Sequence, residues 1–141
     1  MTEDRIFMHI AHSLAREYTD LFYVNMDTGE YIDYRTDDPS GVLTVSRQGS
    51  DFFDSCKREA QLYIPPEDRA VFVHAMDKDF LADVLKRSGI FEMTYRRIKD
   101  ERTFYVRMRV TRPEEGKPFI VIAVSDIDEL MKKRFAEQQI R

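Results

Sequence analysis

The chain has 141 residues and a mass of 16.8 kDa, a length that suits one hydrophobic core without disulfide or metal staples. With 43% hydrophobic and 34% charged residues, 10 Phe and 7 Tyr, the composition excludes a disordered or low-complexity chain. A net charge of −4 supplies no overall positive field for nucleic acid, and the single cysteine, Cys56, excludes an internal disulfide and a cysteine-rich zinc site.

One cysteine suits a reducing compartment, and no run approaches the ~20 apolar residues of a membrane-spanning helix. The first twenty residues start acidic and lack the apolar stretch of a signal peptide. A soluble, cytoplasmic protein without direct membrane contact is the expectation.

Ile6, Phe7, Ile10, Ala11, Leu14 and Tyr18 recur at helical spacing, which predicts an amphipathic helix over 4–18 with Thr2 or Asp4 as its cap. "LFYVNMDTGEYIDY" follows as two short aromatic and β-branched runs around Asp27-Thr28-Gly29-Glu30, a hairpin signal with Gly29 taking the positive φ. The stretches "DDPSG" and "SRQGS" read as loop, with Ser50 as the cap of a helix "DFFDSCKREAQLY". "IPPEDRAVFVHAMDKDFLADVLKRSG" predicts a turn, a proline-led start, and one long helix or two short ones ended by Gly89.

After Gly89 the period changes to two, predicting three consecutive strands in "IFEMTYRRIK", "TFYVRMRVTRP" and "PFIVIAVSD". Phe104, Val106, Met108 and Val110 share one face of the middle run, while Tyr105, Arg107, Arg109 and Thr111 share the other. The last run is apolar on both faces, which places it centrally in the sheet, with the amino-terminal helix as the cover for its back. No helical crossover separates these three strands, so a doubly wound parallel sheet is excluded. The fold class is α+β: one five-stranded antiparallel sheet with the helices between its second and third strands, and a helix at each end.

Four segments in this order resemble the PAS family of sensory modules, over roughly Tyr18 to Leu130. They are "FYVNMDTGEYIDY", "YIPPEDRAVF" at the turn into the longest helical segment, "FEMTYRRIKDERTFYVRMRVTR", and "IVIAVSDIDEL" as last strand and exit. The pattern is especially similar to PAS modules that precede diguanylate cyclase, phosphodiesterase or histidine kinase output domains. Two positions depart from it. Ile64-Pro65-Pro66 stands where the family often has a histidine, and Asp128 stands where the family's Asp-x-Thr exit motif has the threonine that helps fix the linker to the sheet.

The resemblance implies an amino-terminal helix over 1–18, a sensory domain over 19–127 and the start of a signalling linker helix over 128–141. In a PAS sensor the last strand passes straight into the helix that runs to the effector. Asp126, Asp128 and Leu130 are therefore the expected transmission residues, within a helix whose apolar positions make a short seam for a partner. The implied partners are a covalently attached output domain, a second copy in a homodimer and a small-molecule ligand, with no catalysis. A pocket in this fold lies between sheet and helices, with Phe22, Val24, Tyr34, Phe72, Met76, Met93, Tyr95 and Met108 as candidate walls. Without a ligand the same residues make a filled core.

The flavin photoreceptors of the family carry their reactive cysteine in Asn-Cys-Arg-x-Leu-Gln, which "DSCKREAQ" does not match, so no flavin is expected at Cys56. His74 lies in the helical segment where haem-binding members place an axial ligand. As one histidine among apolar residues it reads as a packed or surface group, and no haem is expected. His9 and His12 lack further ligands for zinc. Arg96, Arg97, Arg107, Arg109 and Arg112 gather on adjacent strands, where an inward guanidinium could hold a carboxylate by paired hydrogen bonds. Two other readings stand beside the sensor: a ligand-free dimerisation or protein-interaction domain, and a small cone-fold isomerase-like enzyme using Asp33 or His74.

Overall fold

A computed structural model describes residue 2, residues 5 and 6, and residues 17–35 and 43–140. Most of the predicted amino-terminal helix, His9 and His12 included, lies outside the described residues. At its start the Thr2 hydroxyl accepts the Arg5 amide at 3.3 Å, a capping bond, and the Ile6 amide donates to the Thr2 carbonyl at 3.2 Å.

The first hairpin pairs β1 (Asp20–Asn25) with β2 (Tyr31–Arg35). Its turn is built by side chain and backbone together. Asn25 Oδ1 accepts the amides of Asp27 at 2.9 Å and Thr28 at 3.2 Å, and Gly29 takes φ +80°. The Gly29 carbonyl then accepts the Phe52 amide at 3.0 Å, which ties the turn to the first residue of the helical segment.

The stretch read as loop holds a further strand, β3 (Thr44–Gly49), which pairs antiparallel with β2 and corrects the expected five strands to six. Its sequence, Thr-Val-Ser-Arg-Gln-Gly, has no apolar face because it is an edge strand exposed over most of its length. The backbone ladder holds it, and a ladder leaves no hydrophobic signature. Ser50 is corrected as well. Asp51 is the residue before α1 (Phe52–Tyr63), and that helix starts without a side-chain cap.

The helical segment divides into α1, α2 (Pro66–Ala75) and α3 (Lys78–Ser88). Pro66 opens α2 where its missing N–H costs nothing, Asp77 caps α3 by accepting the Phe80 amide at 3.1 Å, and Gly89 ends it at φ +75°. The "PEDR" stretch locks three elements. Arg69 donates to the Ile64, Ala60 and Gln61 carbonyls at the end of α1, at 2.8, 3.2 and 3.1 Å. Asp68 takes the Arg96 guanidinium at 2.9 and 3.1 Å and the Arg96 amide at 2.9 Å.

Three strands follow: β4 (Ile90–Lys99), β5 (Arg102–Thr111) and β6 (Phe119–Asp126). Asp100 and Glu101 both have positive φ, 53° and 64°, and turn β4 tightly into β5. The sheet order is β3-β2-β1-β6-β5-β4, so β6 is central, between β1 and β5, as its two apolar faces require. α4 (Asp128–Ile140) leaves from its end. On the inner face Val24, Val106, Val110, Ile120 and Ile122 are shut off from solvent with Phe72, Met76 and Leu81 from the helices. Among the described residues no helix is long and apolar enough to cross a membrane.

Candidate functional site

Register sets what the inner face carries. Val24 pairs with Tyr31, Phe22 with Asp33 and Asp20 with Arg35, so the inner face changes from apolar to charged along β1 and β2. β3 adds Arg47 opposite Asp33, and α1 adds Glu59. Arg35 Nε lies 3.0 Å from Asp20 and 3.4 Å from Asp33, and Arg47 Nε lies 3.3 Å from Asp33. The same Arg47 grips Glu59 with two nitrogens, one bond being 3.1 Å. The Glu59 carboxylate raises the Arg47 pKa, and burial opposes it more weakly.

Asp33 is fully buried, and its Oδ1 has no hydrogen-bond partner among the described residues. Its pKa is raised to about 7. Burial is the largest cause, the nearby Asp20 carboxylate comes next, and Arg35 and Arg47 pull the other way. A carboxyl that two arginines fail to bring back to its ordinary value is poised to titrate near neutrality.

Beside this cluster opens a half-enclosed cleft of about 790 Å³. One wall is ionic, with Asp20, Arg35, Arg47 and Glu59. A second is apolar, with Leu62, Tyr63, Phe104, Val106 and Val124, and the far end carries Arg97, Lys99, Asp100 and Asp126. The Arg97 guanidinium sits 6.0 Å from the centre of the Tyr63 ring. Arg97 also borders a cavity of about 40 Å³ with Cys56, Phe72 and Tyr95, room for about one water.

The cleft ends at the exit from the sheet. Asp126 Oδ1 accepts the Asp128 amide at 2.9 Å, Asp128 Oδ1 accepts the Tyr105 amide of β5 at 3.1 Å, and the Ile127 amide donates to the Tyr105 carbonyl at 3.0 Å. Asp128 thus makes a bond to the sheet at the position where threonine was expected to do so. The Tyr105 amide, followed by Lys132, lowers its pKa, so its contribution exists above the ordinary carboxylate range and is lost on acidification. Leu130 and Phe135 are exposed on α4, although Phe135 meets the Tyr105 ring at 6.1 Å between centroids. Asp128→Ala should speed hydrogen exchange of the Tyr105 amide about tenfold, with Asp128→Asn nearer the parent because it keeps an acceptor. Equal exchange in all three chains would detach Asp128 from the junction.

The eight candidate pocket residues lie elsewhere. Val24, Phe72, Met76, Tyr95 and Met108 are core, and Phe22 and Met93 pack against them. Tyr34 pairs with Leu21 and points to the opposite face. None of the eight lines the large cleft. Burial pushes the Cys56 thiol up to about 12, away from thiolate chemistry. His74 is exposed against the Phe80 ring, 4.8 Å between centroids. Among the described residues no group of three His, Cys, Asp or Glu side chains is placed to hold a metal ion.

Of the five gathered arginines only Arg97 reaches the cleft. Arg96 is held by Asp68, Arg109 lies 3.4 Å from Glu92, Arg107 shares the outer face of β5 with Arg109, and Arg112 lies 3.8 Å from the Met26 sulfur. The ionic wall of Asp20, Arg35, Arg47 and Glu59 was not foreseen. Its signal was the alternation Tyr31, Asp33, Arg35, which puts charge in line with a core tyrosine.

A hairpin with an added edge strand, a helical insert and a closing three-strand meander make an α+β fold around one six-stranded antiparallel sheet. No family model matches the sequence, and no curated protein matches it. The chain is similar to the solved structure of a PAS domain from a two-component sensor histidine kinase, at 13% identity and a TM-score of 0.33, over 88% of this chain and 99% of that one.

Proposed function

We propose that this domain is a non-catalytic sensory module of PAS type, which passes a small-molecule or partner signal through α4 to an attached output domain such as a diguanylate cyclase, a phosphodiesterase or a kinase. The observation that carries the reading is the double position of Asp126. It lines the cleft and also accepts the amide of the first residue of α4. A molecule in the cleft would therefore act on the same side chain that sets the helix start. The protein would work as a cytoplasmic homodimer whose two copies exchange between two packings of α4, with ligand binding favouring one of them. Asp126, Asp128 and Leu130 would carry the change.

The test uses the longer chain that contains the output domain. Asp126→Ala should lower stability by no more than about 0.5–2 kcal/mol, the cost of a lost cap, and abolish the signal-dependent change in output. Retained regulation removes Asp126 from the path. An output that ignores deletion of the whole domain ends the sensory reading. The exposure of Leu130 and Phe135 favours a second reading, a dimerisation domain without ligand. Native mass spectrometry separates the two, since a bare dimer speaks for the second and a dimer with a reproducible added mass for the first.

A further inference from the structure

The charges around the cleft are unevenly matched. Asp20 is engaged by Arg35, Glu59 by Arg47 and Asp126 by the Asp128 amide, which leaves Asp100, next to Lys99, as the lining acid without such a partner among the described residues. Arg97 and Lys99 project from the same inner face of β4, two residues apart, and neither has a carboxylate within ion-pair distance among the described residues. Arg97 is held over the Tyr63 ring, which leaves the edge of its guanidinium for a planar acceptor.

We propose that the cleft takes a small organic monocarboxylate, its anionic head on Arg97 and Lys99 and its apolar body against Leu62, Tyr63, Phe104 and Val106. This rests on the reading of the cleft as the ligand site and names the class of ligand. The cleft volume of about 790 Å³ lies within the range of small-molecule sites, roughly 300–1,000 Å³. With Asp20 and Glu59 paired to Arg35 and Arg47, the cleft keeps Asp100 and Asp126 beside Arg97 and Lys99, and these two acids oppose a multiply charged anion such as a nucleotide. A single negative charge beside two cations avoids that repulsion, and the apolar wall supplies burial that a bare inorganic anion would not use.

The test is a titration followed by backbone and arginine Nε–Hε nuclear magnetic resonance. The probes are straight-chain monocarboxylates from propanoate to octanoate, 3-phenylpropanoate, and the neutral amide of each, up to about 10 mM. The acids should move the Arg97, Phe104 and Val106 signals and bind at least about tenfold more tightly than their amides. Arg97→Gln should remove that advantage, Lys99→Gln should reduce it, and Arg109→Gln on the outer face should leave it unchanged. Acids and amides that bind alike would overturn the carboxylate assignment while leaving the cleft a ligand site. Cleft signals that no acid moves would overturn it too, and the Asp126 output assay then judges the sensory reading separately.

Discussion

Asp33→Asn should gain stability relative to the parent chain by about 2–4 kcal/mol between about pH 4 and about pH 8. The sign follows from the direction of the shift. Asp33 has a folded-state pKa raised from 3.8 to about 7. Below the lower value both folded and unfolded chains hold the proton, and the group contributes no pH dependence. Between the two values the unfolded chain ionises freely while the folded chain keeps its proton, so stability falls as pH rises. Above the upper value the full cost of the buried charge is present. Asparagine cannot ionise and removes that slope, although it gives up the attraction to Arg35 and Arg47. Chemical denaturation of both chains across this range checks it. A difference independent of pH would mean that Asp33 is ionised throughout in the folded protein.

Phe52→Ala should cost about 3–5 kcal/mol, the range for removing a buried aromatic ring. Phe52 is 3% exposed and meets Phe22 at 5.5 Å, Tyr31 at 5.4 Å and Phe53 at 5.3 Å, all edge-on. Its amide also holds the Gly29 carbonyl, so the ring and backbone of one residue join the first hairpin to the helical segment. Tyr23 provides the comparison. It stacks on Phe119 at 5.1 Å on the outer face and is 41% exposed, and Tyr23→Ala should cost about 1 kcal/mol. Equal losses in the two variants would show that the Phe52 cluster does not carry the hairpin-to-helix contact.

The elements with strong local signals were legible. Alternation in "FYVRMRVT" assigned residues 104–111 of β5 to their faces, and the two-sided apolar run of β6 placed it centrally. Gly29 and Gly89 marked the turn and the helix end because the left-handed backbone favours glycine. β3 was not legible, since an edge strand in solvent needs no apolar residues and Thr-Val-Ser-Arg-Gln-Gly has the composition of a loop. The site was less legible than the fold. Hydrophobic residues facing the helices were sought as pocket walls, but seven of them pack together as core, and the open space lies where the inner face turns ionic.

Local chemistry in the chain determined the α+β class, the order of its elements apart from β3, the strand faces and the abrupt passage from β6 into α4, because period and turn residues act over a few positions. Tertiary structure decided which charges meet. Asp20, Asp33, Arg47 and Glu59 come from four separate elements, and their pairing depends on strand register and on the docking of α1, neither of which a linear pattern carries. The same holds at the exit. Asp126 and Asp128 are legible as acids at a helix start, but only the register of β5 beside β6 brings the Tyr105 amide to Asp128 and makes that acid a tie between sheet and helix.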